Sequence, residues 1–515
     1  MLFSATLTAA AQIAPPEIKW GVEFKAAKRS SLNDIVGYDN TGVYAIKERY
    51  GFAGVRRYTL EQYNKDFIPT TSFDLDFDDN REVETILQLR NRLFMFTSLT
   101  DFKTKKNALS VQEVNKKTLR PESVPQRIAE IDYQGELKSN SGKFQLRVSR
   151  DSSKILVLYN LPYHKNEPEA FGFTVLDAQL KPLWRKETKL PYEDGLFALE
   201  SIRVDNDGDV YLLGLIYKDK RKSKRKGAPN YKYQVLAYRD NGDSFREYPI
   251  SLDDKFLTDM QIEVLNDKNL ICAGFYSAKG TYSIRGTFFL TVDAKTKEVK
   301  TKSFREFGVD FLVQNMKERE AVKIKKKEEK GEENELYEYD LDKLLVGKDG
   351  SAILMGEQYY VRQVTSTHMI NGVPQTTVNN HYFYNDIIAV KIDPSGQIQW
   401  AEKIAKRQHT ANDGGFFSSY TMAVIKGNIC LVFNDNPKNA AYTGEGKVFN
   451  YSGIQESMVM LVTVDQTGKQ NRQPLFGSAD IDVITRPKVC EQVTNNEIIL
   501  FGQRKKTQQF ASLVF

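Results

Sequence analysis

A short apolar strand entered through a tight polar turn recurs along this chain, and the recurrence limits what the chain can become. The instances are GVYAIKE at 42, RLFMFTS at 92, KILVLYN at 154, DVYLLGL at 209, NLICAGF at 269, AILMGEQ at 352, NICLVFN at 428 and EIILFGQ at 497. Both faces of each strand are apolar, as in a sheet packed on both sides. The preceding turns (DNTG at 39, DNDG at 205, NDK at 266, KDG at 348, TNN at 494) have hairpin chemistry. Gly214, Gly274, Gly356 and Gly502 hold equivalent places and predict close approach of a neighbouring backbone. The DNDGD run at 205–209 shares the opening of a calcium loop, but the glutamate at the twelfth position is absent, so it reads as a polar turn.

A second pattern follows each of these strands. FTVLDAQLKPLW ends at Trp184 and AVKIDPSGQIQW at Trp400, with Asp177 and Asp393 seven residues before the tryptophan. Segments around Asp293 and Asp465 keep the frame without the tryptophan, and LAYRDNGDSFR around Asp240 is a shortened copy. Each is strand, tight turn, strand. The unit is therefore four antiparallel strands, and four-stranded units repeated radially are propeller blades.

Eight blades are expected, at 32–76, 82–131, 142–191, 198–252, 256–305, 336–406, 415–476 and 483–515 with 17–25. The fold class is all-β, an eight-bladed β-propeller in one domain over 17–515. EIKWGVEFK at 17–25 looks like a fourth strand and the last unit stops after its third, so the N-terminal strand is expected to complete the last blade and remove an open edge.

VLDAQLKPLW, KIDPSGQIQW and TVDAKTKEVK resemble PQQ-like propeller repeats, and the AAQ start with loose repeats is similar to exported propellers of Bacteroidetes-type bacteria. The resemblance implies either quinone-dependent dehydrogenases or non-catalytic propellers of outer-membrane protein assembly. The enzymes carry adjacent cysteines above the quinone. Cys272, Cys430 and Cys490 are far apart, so the resemblance implies the non-catalytic branch and no cofactor. The three thiols read as buried apolar residues rather than a disulfide framework or a zinc site.

In a four-stranded blade the connections alternate between two faces. Here the first-to-second and third-to-fourth turns are short, while the second-to-third and interblade connections are long and varied. Long segments fall at 160–172, 217–233, 306–335, 359–386 and 434–457, all on one face, and long loops on a rigid scaffold are where binding concentrates. The segment within 306–335 reads as a charged helix or solvated arm; 359–386 reads as a long hairpin turning at Asn371-Gly372.

Partner-binding candidates are Tyr217, Arg221, Lys222 and Arg225 in the basic loop, and His368, His381, Tyr382, Tyr384 and His409 on or beside the hairpin. Aromatics supply much interface energy; they could equally pack the hairpin, and the basic run could be a solvated loop. His164 is the fourth histidine; four scattered histidines define no metal site. No G-x-S-x-G elbow, H-E-x-x-H or P-loop occurs.

A net charge of +6 from 73 basic and 67 acidic residues is too mild to suggest nucleic acid. No apolar run approaches the roughly 18 residues of a membrane span. Residues 1–11 read as a signal-peptide remnant with small residues at Ala9–Ala11. The expectation is an exported, periplasmic or outer-membrane-associated, monomeric protein. It is expected to be a non-catalytic scaffold binding an envelope protein. The alternative is an acidic-polysaccharide binder, or a lyase using His381 or His409.

Overall fold

The computed structural model describes residues 14–27, 29–50, 56–77, 80–132, 143–161, 167–219, 221–222, 224–225, 228–252, 255–370, 373–444, 446–453, 457–477 and 480–515. The signal-like segment 1–11 and His164 lie outside them.

Among the described residues the strands pair into antiparallel sheets of four or more strands, with two short two-stranded pieces beside them. Seven sheets follow one another along the chain, spanning Ser30–Asp74, Arg81–Asp132, Phe144–Glu193, Phe197–Ile250, Phe256–Glu306, Tyr339–Ile404 and Thr421–Gly477. In the last, Ile484–Thr485 and Glu491–Thr494 pair along one side of Glu497–Arg504, Thr507–Val514 pairs along the other, and Glu17–Trp20 pairs outside that, with Glu17 opposite Val514 and Trp20 opposite Ala511. The architecture is all-β, built from the four-stranded unit of a β-propeller.

The repeated apolar strand is the second of each sheet. Leu270–Ser277 is buried at every position because neighbouring sheets cover both of its faces. The core consists of clusters shared between successive sheets. Tyr211 packs in one with Cys272 and Phe288, Phe275 in another with Leu354 and Ile388, and Leu431 with Met355. A further cluster joins Phe501 and Phe510 of the last sheet to Val43 and Ala45 of the first. The three thiols lie inside such layers, and burial pushes each up to about 12.

The aspartate frame has a local cause. Asp177 Oδ1 accepts from the backbone N–H groups of Gln179 and Lys181 (2.9 Å each), and Asp393 Oδ1 from Ser395 (2.8 Å) and Gln397 (3.0 Å). Asp465 and Asp293 close their turns the same way, so the frame survives where the tryptophan does not. The tryptophans act between sheets: Trp184 Nε1 donates to Gly208 O (3.1 Å) and Trp400 Nε1 to Gln466 O (2.9 Å).

Of the four equivalent glycines, Gly214 and Gly502 make room for side chains, a Cβ meeting the Phe197 ring at 2.3 Å and Val483 at 2.5 Å, whereas Gly274 and Gly356 face the backbone of the first strand of their sheet. That strand carries a β-bulge between Leu32 and Asp34, Val83 and Thr85, Leu199 and Ser201, Leu257 and Asp259, and Leu341 and Lys343. A bulge drives the strand against its partner. A Cβ on Gly274 would sit 2.0 Å from Asp259 O, and one on Gly356 3.0 Å from Asp340 O.

Between the fifth and sixth sheets the charged arm forms helix α1 (Val309–Val313) and helix α2 (Glu318–Glu329). Glu335 anchors its far end, accepting from Ser277 Oγ (2.6 Å) and Ala278 N (2.9 Å).

Candidate functional site

The longest strands, Ala352–Ile370 and Val373–Ile392, begin as the middle pair of the sixth sheet and leave it past a bulge between Glu357 and Tyr359. From Tyr360 outward the ribbon extends about 35 Å at roughly 3.3 Å per residue. Its base is held by Gln408–Ala411, which pairs along His381–Tyr384. Gln408 makes that possible: fully buried, it accepts from Ser419 N (2.7 Å) and donates to Asn434 O (2.8 Å).

Strand alternation sorts the base into two faces. On one, His381 Nδ1 and His409 Nε2 share a hydrogen bond (2.9 Å). His409 stacks on Phe383 with ring centres 4.4 Å apart, and Phe383 stacks on Tyr360 at 4.5 Å. The Arg362 guanidinium lies 5.0 Å from the centre of the Tyr360 ring. Burial, then the neighbouring His381, lowers the His409 pKa. With one proton in the bond the pair is cohesive; with both rings charged it repels.

On the other face Tyr384 is buried against Tyr359, ring centres 4.5 Å apart. Lys488 Nζ donates to Tyr384 OH (2.7 Å) and Lys406 Nζ to Tyr384 O (2.9 Å). Lys406 also pairs with Glu357 at 2.6 Å, both side chains almost wholly buried, and Glu357 accepts from Ser419 Oγ (2.7 Å). Burial raises the Tyr384 phenol well above its ordinary value and, together with the charges of Lys406 and Arg486, lowers Lys488. This cluster is a buried brace that fixes the ribbon's exit angle.

Structure therefore brings His381, Tyr382, Tyr384 and His409 to one place. His368 lies farther out on the ribbon, exposed and opposite Gln375. The basic-loop residues are elsewhere, at the end of the fourth sheet. Tyr217 packs against Tyr231, ring centres 6.3 Å apart. Arg221 is committed to its own fold, donating to Gly195 O (3.0 Å), Asp194 O (2.7 Å) and Phe197 O (2.6 Å). Lys222 is exposed, its carbonyl accepting from Asn230 Nδ2 (3.0 Å). Arg225 sits in a two-residue strand paired with Ala228–Pro229, its side chain outside the described residues.

Two groupings escaped the sequence reading. The first lies on the strands that pair with the repeated apolar strand on its N-terminal side, where positions at or near the irregularities carry Asp34, Glu84, Glu200, Asp259, Asp342 and Glu491. Burial raises all six, Asp259 to about 6 and Asp342 to about 7. Asp259 accepts from Leu341 N (2.9 Å) and Asp342 from Tyr420 OH (2.7 Å). The signal was present as an aliphatic, two-polar, aliphatic repeat: LNDI at 32, VETI at 83, LESI at 199, LTDM at 257 and LDKL at 341.

The second explains the calcium-like turn. Lys268, from the next sheet, places its ammonium 2.8 Å from Asp205, 2.6 Å from Asp207 and 3.0 Å from Asp209. The turn's cation is thus built into the chain.

No family model matches the chain and no curated protein does. Solved structures do. It is similar to the β-propeller domain of the Trilobed protease from Pyrococcus furiosus (10% identity, 87% of this chain and 93% of that one, TM-score 0.35). It is also similar to prolyl oligopeptidase B from Galerina marginata (9% identity, 93% of this chain and 55% of that one, TM-score 0.40). A third is a PL25 ulvan lyase polysaccharide lyase (10% identity, 84% of this chain and 91% of that one, TM-score 0.36). Likeness at this level says nothing of what this chain binds. Among the described residues no helix is long and apolar enough to cross a membrane.

Proposed function

We propose that the chain is a closed eight-bladed propeller of the cell envelope that serves as a scaffold, binding a protein partner through the ribbon. Pairing of Glu17–Trp20 with Thr507–Val514, and the core shared by the last and first sheets, support closure. One observation carries the binding reading. Residues 363–380 contain no Lys, Arg, Asp or Glu in a chain that is 27% charged. Of these, 363–370 and 373–380 pair as a ribbon with exposed apolar side chains on both faces, Met369 at 66% and Val373 at 61% exposure among them. Natural proteins guard free strand edges with charge, bulges or covering elements. An uncharged ribbon beyond its sheet has the chemistry of strand addition to a partner, where backbone pairing gives affinity and alternate side chains give selectivity.

The test compares crosslinked partners of the wild-type protein in its native cells with those of two variants. One replaces 363–380 by a tight turn; the other carries Val364→Lys and Val378→Lys. Val364 and Val378 are solvent-exposed, so the double-lysine variant is expected to keep the wild-type thermal midpoint, while the shortened variant also loses the bonds of Asn379 and Asn380 to Asn412. A specific partner captured by wild type and lost by both variants supports the reading. Equal capture by all three refutes it.

A further inference from the structure

The two edges of the ribbon differ. Asn380 N donates to Asn412 Oδ1 (2.9 Å) and Asn412 N donates to Asn380 O (2.9 Å), so both backbone groups of Asn380 point away from the strand Ala352–Ile370. Direction alternates along an antiparallel pair, so Val378, Thr376 and Pro374 point outward on the same edge. Their partners in the register, Val361, Gln363, Thr365, Thr367 and Met369 being the matching set with Tyr382 and Asn380 included, point outward on the opposite edge. Tyr359 N, which donates outward to Glu338 O (2.9 Å), fixes the same phase independently.

The edge bearing Asn380 is guarded. Asn412 occupies its inner end, and Pro374 near the tip has no N–H to offer. The opposite edge is open. The strand Tyr339–Val346 covers it only as far as Gln358, which lies opposite Tyr339. Among the described residues nothing bonds the outward N–H and C=O groups of Val361, Gln363, Thr365, Thr367 and Met369. From Gln363 to Met369 this edge has no charged lysine, arginine or carboxylate, no bulge and no proline, and such an edge is a template for another strand.

The open edge is complementary to itself. Laid antiparallel on a second copy about Thr365, Val361 (44% exposed) stands opposite Met369 (66%), Gln363 opposite Thr367, and Thr365 opposite its own equivalent. On the other face Val364 stands opposite Ser366 and Arg362 opposite His368. Apolar meets apolar, amide meets hydroxyl and threonine meets threonine, pairs that stabilise neighbouring strands. Charge points the same way. A chain of net charge +6 repels its own copies over much of its surface, and the uncharged ribbon lets them meet without that repulsion. The overlap is about 30 Å at roughly 3.3 Å per residue, along a ribbon that stands beyond its sheet, so each body stays at its own end of the pair.

We propose that two copies of this chain pair through their Val361–Met369 edges as an antiparallel, two-fold dimer, the two ribbons forming one four-stranded sheet. This rests on the reading of the ribbon as a strand-adding element and names its partner as a second copy, in place of the monomer expected from the sequence. The contact is closed, since each edge is consumed by its equivalent. It is smaller than a standard interface of about 1,600 Å², so a reversible, micromolar dimer is expected.

Sedimentation equilibrium of the purified full chain, up to about 100 μM, tests the proposal. Wild type is expected to dimerise. Thr365→Pro removes an outward N–H and no bond within the ribbon. It deletes two bonds from the symmetric pair and is expected to weaken dimerisation about tenfold or more, with an unchanged thermal midpoint. Thr376→Pro, the same change on the guarded edge, is expected to leave the dimer intact. A short bismaleimide is expected to link Thr365→Cys into a covalent dimer but not Thr376→Cys, the native thiols being buried. Wild type that stays monomeric over the whole range, a dimer insensitive to Thr365→Pro, or equal crosslinking of the two cysteine variants overturns the proposal. Monomeric wild type whose ribbon still captures another protein in cells refutes the second copy alone and leaves strand addition standing.

Discussion

Replacing Lys268 by methionine tests whether a side-chain ammonium has taken the place of a metal ion. Asp205 Oδ1 already accepts from the backbone N–H groups of Asp207, Gly208 and Asp209, each at 3.0 Å, which leaves Oδ2 to face Lys268. The side chains of Asp205 and Asp209 are 8% and 12% exposed, whereas Asp207 is 72% exposed. Lys268→Met therefore leaves two nearly buried carboxylates facing each other without a cation. Removing one partner of a buried pair costs about 3–5 kcal/mol. Lys268 is itself 24% exposed, and solvent screening brings the expected loss to about 2–3 kcal/mol.

Burial alone would lower the Lys268 pKa, but its three carboxylate contacts raise it well above its ordinary value. A raised lysine contributes its full stabilisation below the unfolded value, about 10.4, and loses it only as pH climbs through the folded value. The wild-type to variant difference is thus independent of this lysine's titration at neutral pH. The assay is the denaturant midpoint and the thermal midpoint, with and without millimolar calcium. Calcium is expected to recover part of the loss in Lys268→Met and to leave wild type unchanged, because the ammonium occupies the position. A variant as stable as wild type, or calcium stabilising both proteins equally, would refute the reasoning.

Gly274→Ala is expected to cost about 1–3 kcal/mol by overpacking, since the new Cβ meets Asp259 O, while Gly280→Ala, with nothing within 4 Å, changes the unfolding free energy read from denaturant melts by less than about 0.5 kcal/mol. Asp259 is raised to about 6 by burial, so stability falls as pH rises from about 4 to 6. Asp259→Asn should flatten that slope, worth about 2–3 kcal/mol, as read from denaturant midpoints across the window. In NMR titration His409 is expected to protonate below the ordinary histidine value, and His381→Ala to move its midpoint upward by removing the repelling ring; no movement would mean the two rings are uncoupled.

The sequence by itself determined the repeating unit. Short continuous apolar strands, aspartates that close their own turns and glycines at equivalent places are local chemistry, legible without knowing what lies beside them. The same holds for the long ribbon, whose strands are continuous around Asn371-Gly372 in the chain. What the strands could not announce was their neighbours. Lys268 and the DNDGD turn are far apart in sequence, and only packing of the fourth sheet on the fifth turns a calcium-like motif into a salt-bridged one. Arg221 reads as a free cation in a basic run, yet the turn at Asp194–Leu196 and the Phe197 that follows it present three carbonyls that capture it. His381 and His409 are 28 positions apart and meet because Gln408–Ala411 adds to the ribbon's edge. Five of the six buried carboxylate positions were visible as a repeated polar pair, but their raised pKa values arise only when the packing of the sheets takes them out of water. Secondary structure follows nearest neighbours along the chain; charge, burial and sites follow neighbours in space, which the tertiary packing alone supplies.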